Sequence, residues 1–428
     1  MHKLRSLGAL VAAGLLVGGL TTATKSASAA DLGGDCCADL EERVAELEAT
    51  TARKGNRKVS LTVSGWVGQQ VMFWDDGTER NTYIHDLGTT LGSHFKFTGA
   101  AQITPDWSAG YVLHIEAISS DSLTINQDRD NGPAALTGRP QDAQVLQSYW
   151  YLKSERLGKL GVGLQSQATD NLAILVDGSG SLVPANWVAF DVNSFFVRDN
   201  VGNPTTVTWG NAAFTCGNMG GAWGDCNGVP RNVVRYDSPT FGGFSVSASW
   251  GEDDMWDVAG RYAGELGRFK LAAAVGYNEV TDAGMGALDN ETLRYFQAGL
   301  YIQDIPTGLF ALGNYGRLDS NEFAGDAETW YVKAGLRRKW FALGHTVLYG
   351  EYLNNQGDGS FVNPDPRGDL STIASSSDLD VWGLGVVQEI DAAAMSLWVK
   401  YRNLEYDDNS AVNYDDFHYV GAGALISF

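Results

Sequence analysis

Few residues in this chain carry types and spacings that suggest bond chemistry. The six histidines are scattered, with no His-Glu-x-x-His pair, and neither a Gly-x-Ser-x-Gly nucleophile turn nor a glycine-rich phosphate loop is present. Adjacent acids stand at Asp75-Asp76, Asp253-Asp254, Asp407-Asp408 and Asp415-Asp416. Such pairs could act as catalytic carboxylates or hold calcium weakly. Their setting among Asn, Gly and Ser favours solvated loop tips, with weak loop calcium binding as the remaining alternative. No metal site, no other cofactor and no catalytic step are expected. Cys216 and Cys226 lie in TCGNMGGAWGDCNG. In an oxidising compartment they would pair and close a small ring, worth about 2–3 kcal/mol, whereas zinc would need further ligands that the neighbouring sequence lacks. Cys36 and Cys37 are adjacent, and bonds between subunits or two free thiols both stay open. The chemistry that recurs is fixed charge: Arg231 and Arg235 alternate with Val234 and Tyr236, Lys333 and Arg337 with Val332 and Leu336, Lys400 and Arg402 with Val399 and Tyr401.

Alternation of this kind requires strands, whose successive side chains point to opposite faces. From Val59 onward the sequence breaks into segments of about 8 to 14 residues, the length and period of tilted membrane strands. We place them at 59–74, 93–103, 108–118, 147–155, 158–165, 231–237, 243–250, 257–263, 267–277, 293–302, 308–317, 328–337, 341–352, 379–389, 394–403 and 415–428. About sixteen strands close into an all-β, antiparallel transmembrane barrel wide enough for an aqueous lumen. Short turns (TPDWS, SER, SPTFG, GEL, QDIPT, RKW, DAA) alternate with longer stretches near 75–92, 119–146, 166–230, 278–292, 318–327 and 353–378, as the two ends of such barrels require.

Face assignment follows from parity. Val420, Ala422, Ala424, Ile426 and Phe428 suit lipid, as do Trp330, Val332, Ala334 and Leu336. The bases then point inward, because a charge on the lipid side at mid-depth costs about 2–4 kcal/mol. Each could equally be a solvated wall residue without a selective role. Tyr236, Trp250, Trp340 and Tyr349, near segment ends, are expected in interfacial girdles.

The N-terminal segment assigns the compartment. A basic start (Lys3, Arg5), an apolar run from Leu7 to Leu20 and Ala27-Ser28-Ala29 before Ala30 predict a secretory signal peptide over 1–29. A membrane anchor is the alternative, but the run falls short of the roughly 20 residues a spanning helix needs. Residues 30–58 form a periplasmic helical segment. Cys37, Leu40, Val44, Leu47 and Thr51 make a two-heptad coiled-coil seam, which would be stable only where barrels already hold three chains together. A lone exposed helix or a flexible tail is the alternative. The barrel proper covers 59–428. With 30 Lys and Arg against 51 Asp and Glu, the net charge of −21 excludes a nucleic-acid partner.

DCCADLEERVAELEATTARKGNRKVSLTVSG, TPDWSAGY and SYWYLKSERLGKLGVGLQSQATD resemble the corresponding motifs of the alphaproteobacterial porin family, and the terminal Phe428 agrees. The resemblance spans essentially the whole mature chain and implies a homotrimer of sixteen-stranded barrels in outer-membrane lipid, passing ions and small hydrophilic solutes. It further implies a third outer loop folded back into each barrel, which fits residues 166–229. Leu172, Ile174, Leu175 and Val176 would cover the inner wall, and Asp170, Asp177, Asp191 and Asp199 would stand opposite Arg231, Arg235, Lys333, Arg337, Lys400 and Arg402. Opposed charges across a constriction create a transverse field, and the more numerous acids predict a mild cation preference. A solute-selective channel, for sugars or oligosaccharides, and a structural or adhesive barrel with a plugged lumen are the alternatives.

Overall fold

The computed structural model describes residues 58–130, 142–212, 230–252, 254–281, 292–320, 326–362 and 373–428. Nineteen strands follow one another: β1 (Thr62–Asp75), β2 (Arg80–His85), β3 (Ser93–Gln102), β4 (Trp107–Ile118), β5 (Asp142–Ser154), β6 (Gly158–Gln165), β7 (Phe196–Arg198), β8 (Pro204–Thr208), β9 (Arg231–Asp237), β10 (Phe244–Gly251), β11 (Trp256–Leu266), β12 (Phe269–Val280), β13 (Leu293–Asp304), β14 (Leu309–Ser320), β15 (Asp326–Phe341), β16 (Gly344–Val362), β17 (Ile373–Ile390), β18 (Met395–Asp408) and β19 (Phe417–Ser427). Seventeen of them form one antiparallel sheet closed as a sixteen-place barrel, in which β2 and β3 share the place beside β1, β6 is joined to β9 and β19 is joined back to β1. Closure runs from Trp66 opposite Ser427 to Asp75 opposite His418, and the amide of the terminal Phe428 extends it by donating to Gly65 O at 3.0 Å. A closed cylinder leaves no strand edge unpaired, which is the condition for strands to cross lipid. Among the described residues no helix is long and apolar enough to do so.

Every expected segment is a strand, and the departures have local causes. β2 lies in a stretch expected to be loop. It pairs with Gln70–Asp75 of β1, while β3 pairs with Thr62–Trp66, so two short strands share one neighbour. β5 begins at Asp142 rather than 147, because His114 and Ile115 face Gln147 and Val145, leaving Leu146 as a bulge that breaks the alternation. Residues of RKW and GEL, expected as turns, belong to β15 and β11, and the chain reverses just beyond them. β16 and β17 are longer than expected, at 19 and 18 residues.

Outward faces carry the apolar belt. Val234, Val332, Leu384, Val420 and Ile426 are exposed, with Trp250, Trp330, Trp340 and Trp382 among the aromatic groups beside them. Tyr349 departs from the girdle assignment. It shares the parity of Val347 and Glu351, faces inward and is buried, while its neighbour Leu348 faces out. The segments expected to form the signal peptide and the helix, with Cys37, Leu40, Val44 and Leu47, and the Cys216–Cys226 ring lie outside the described residues.

Candidate functional site

Between β6 and β9 the chain enters the barrel and runs along the inside of the wall. Thr169 donates from its amide and its hydroxyl to Asp257 of β11 at 2.7 Å, and the Ala173 amide donates to Gln297 of β13 at 2.8 Å. The approach is close enough that a Cβ on Gly299 would lie 2.2 Å from Ala173 O, so only glycine fits there. A 3₁₀ turn at Ile174–Val176 and the short helix α1 (Leu182–Ala185) follow, and then the β7–β8 hairpin beneath the outer ends of β1, β2 and β19. Apolar side chains of the loop, including Ile174, Trp187, Val188, Phe190, Phe195 and Trp209, pack with wall residues Trp74, Tyr301, Tyr331, Tyr349 and Phe417 in one continuous core. The lumen of β13–β19 and β1 is thus a protein interior, and the loop is its other half.

Ion pairs fasten this core. On the wall, Lys333, Glu351, Gly383, Arg402 and Tyr419 occupy consecutive register positions across β15, β16, β17, β18 and β19. Gly383 leaves a gap in that row, through which Arg402 Nε donates to Glu351 Oε1 at 2.7 Å; a Cβ there would lie 2.7 Å from the same oxygen. Arg402 also donates to the carbonyls of Pro184, Ala185 and Val188, and Lys400 donates to Pro184 O at 3.0 Å. Asp191 of the loop accepts from Lys400 at 2.5 Å, from Gln70 at 2.8 Å and from the Tyr419 hydroxyl at 2.7 Å. Asp177 accepts from Lys333 at 2.5 Å, with both side chains 0% exposed, and Lys333 also donates to Ser181 and Asn186. Three carboxylates (Asp177, Asp191, Glu351) thus meet three cations (Lys333, Lys400, Arg402), and the cluster is neutral. Burial alone would raise the acids, but Lys333 overrides it for Asp177, and Lys400, His85 and Arg402 override it for Asp191. Both are held below the ordinary carboxylate range.

The acids and bases expected to face each other across a constriction are therefore placed differently. Asp177 and Asp191 do meet Lys333, Lys400 and Arg402, but in direct, dehydrated contact and not across water. Asp170 is buried at the start of the loop, with Asn171 Nδ2 donating to it at 2.7 Å, and burial raises its carboxyl to about 6. Asp199 closes the β7–β8 turn, accepting from the amides of Val201 and Asn203. Arg337 makes a two-pronged pair with Glu389 of β17, not with a loop acid. Arg235 pairs with Asp237 and donates to the loop carbonyls of Ser166 and Gln167. Arg231 is half-buried on the inner face of β9, at its first residue. Leu172 and Ile174 cover the wall as expected, but Leu175 is 55% exposed. Glu351, Gln70, Tyr419 and Trp398, whose indole N–H donates to Gln70 Oε1 at 2.9 Å, were not anticipated. Inward parity in their segments is the signal that marks them, the same signal that selected Lys333.

A wall lined on one flank by an inturned loop is an arrangement for passage, since the opposite flank, β3–β6, keeps half-exposed polar side chains such as Lys96, Tyr149, Tyr151 and Lys159 on its inner face. Solved structures with the same fold include an anion-selective porin from Comamonas acidovorans (15% identity over 86% of this chain and all of that one, TM-score 0.56). Two others are the outer membrane channel DcaP of Acinetobacter baumannii (10%, 88% and 100%, TM-score 0.51) and Salmonella typhi OmpF in complex with daunomycin (15%, 87% and 98%, TM-score 0.50). No curated protein sequence matches the chain. The family model described as Gram-negative porin matches residues 12–425, nearly the full length. The chain therefore belongs to the Gram-negative porin family, channels for solute diffusion across the outer membrane.

Proposed function

We propose that this protein is a general diffusion porin, a passive, water-filled channel for ions and small hydrophilic solutes, working as a homotrimer with one pore per barrel. The observation that carries the reading is the one-sided placement of the loop. Its buried anchors run from β11 round to β1, and β3–β6 receive few of them. A plugged structural barrel would be expected to spread such contacts over the whole circumference. A sugar-selective channel would present a row of aromatic faces, whereas Trp74, Tyr331, Tyr349 and Phe417 are buried beneath the loop. The trimeric assembly is supported by the trimer form of OmpT from Vibrio cholerae, a further structure with this fold (12% identity over 86% of this chain and 99% of that one, TM-score 0.50). The motifs quoted above support membership of the alphaproteobacterial branch, and the N-terminal run supports export by a cleaved signal. Planar-bilayer recording of the purified oligomer tests the reading. Openings in groups of three equal steps are expected, and a protein that inserts without conducting would overturn it.

A further inference from the structure

Opposite the loop, the half-exposed charges of the inner wall are mostly basic. On the inner wall of β3, β6 and β11, Lys96 forms no hydrogen bond or ion pair among the described residues. Lys159 stands 3.8 Å from Asp237, a carboxylate already taken by Arg235 at 2.7 Å. Arg261 donates to Ser247 Oγ and to Ala168 O and makes no direct ion pair, with Asp237, Asp257 and Asp170 in its neighbourhood. Two further acids here are buried: Glu116 is held by the amides of Thr90 and Gly92 and by Gln144, and Asp257 by Thr169. Among its described residues the loop offers no exposed acid on this side, the Asp170 carboxyl at its start being buried. From Asn171 to Ser194 its water-facing side chains are Asn171, Leu175, Val176, Leu182, Val183 and residues as polar as Asn193, while Asp177 and Asp191 are turned into the wall and neutralised. Tyr149 and Tyr151 complete the basic side, with Lys159 Nζ 5.4 Å from both ring centres.

We propose that the lumen passes anions ahead of cations and favours small organic anions that carry a carboxylate on an apolar body. An unpartnered Lys96, with Lys159 sharing its carboxylate with Arg235, faces a low-dielectric surface, concentrates field lines and raises the local population of anions. The Leu175–Val183 face and the two tyrosine rings then offer contact to the apolar part, where a purely hydrophilic anion gains nothing. This departs from the cation preference expected from composition, since the surplus acids do not line the narrow part. The proposal rests on the protein being an open channel.

The test uses the purified native oligomer in planar bilayers under a tenfold KCl gradient. The reversal potential is expected to give chloride over potassium by about threefold or more. The triple variant Lys96→Gln, Lys159→Gln, Arg261→Gln should bring that ratio to about one or below. Lys96→Gln alone, which removes no contact of the fold, should lower it by a measurable fraction even if the triple variant fails to assemble. In sodium salts, benzoate should be at least as permeant relative to chloride as the smaller acetate is. Potassium preference in the native channel, a ratio unmoved by Lys96→Gln, or acetate clearly ahead of benzoate would overturn the proposal while leaving the channel reading intact. A protein that does not conduct at all would overturn both.

Discussion

Replacing Lys333 with Met asks whether a charge pair, and not apolar packing alone, holds the loop to the wall. Lys333 and Asp177 are both fully buried, and the ammonium is shared with Ser181 and Asn186. Without it the Asp177 carboxylate is left with neutral donors, the Asn186 amide and Ser179. Leaving one member of a buried pair uncompensated costs about 3–5 kcal/mol. At about 1.4 kcal/mol per factor of ten, that is roughly two to three and a half powers of ten in local detachment of residues 174–186. Downstream, Asp191 keeps its own anchors, so the barrel should still assemble. Asp177→Asn combined with Lys333→Met removes both charges and should recover most of the loss. The assay is limited proteolysis of the purified protein in detergent, in which cleavage within 174–186 follows the detached fraction when opening is fast relative to cutting. Lys333→Met is expected to be cut at least about a hundredfold faster than the native protein, and the double variant within about tenfold of it. If the double variant is cut as fast as Lys333→Met, the pair is not the fastening and the reasoning fails.

Gly383→Ala should lower thermal stability by about 1–3 kcal/mol, since its methyl group would press on Glu351 Oε1 at 2.7 Å and on Tyr401 O at 2.9 Å; a barrel melting unchanged by circular dichroism would contradict the gap in the row. Asp170 is buried with its carboxyl raised to about 6, so the stability it contributes is full below about pH 4 and is lost as pH rises through 6. Cleavage near residue 170 should therefore be about tenfold or more slower at pH 5 than at pH 7.5, and Asp170→Asn should flatten that dependence. Val332→Arg places a charge on the outward face beside Trp330 and should cost about 2–4 kcal/mol in folding into bilayers, whereas Val332→Leu should be neutral.

Much of the wall was readable before any coordinates, because one physical rule generates it. In β15 and β18 an alternation of apolar and basic residues can satisfy lipid and lumen only one way round, and Lys333, Lys400 and Arg402 face inward as that rule demands. The rule fails where a residue is inserted, as at the Leu146 bulge, and where position near a segment end was allowed to outweigh parity, as for Tyr349. The loop was less accessible. Its acids could be expected to meet the wall bases, but whether they meet across water or in contact depends on how deeply the segment between them packs. That depth is set by long-range partners such as Asp191 with Lys400 and Gln70 and by gaps such as Gly299 and Gly383, which leave no periodic trace. Net charge says little about the pore for a related reason, since a carboxylate buried against an ammonium no longer contributes to the field there.

On the proposed reading the inturned loop covers one flank of the lumen and leaves a water path along the other. Single-channel conductance of the purified protein across a KCl concentration series tests for that path. Stepwise openings whose conductance rises nearly in proportion to salt are predicted, as for ions moving through water. A membrane that stays silent after insertion has been verified, or a conductance that saturates at low salt, would contradict it.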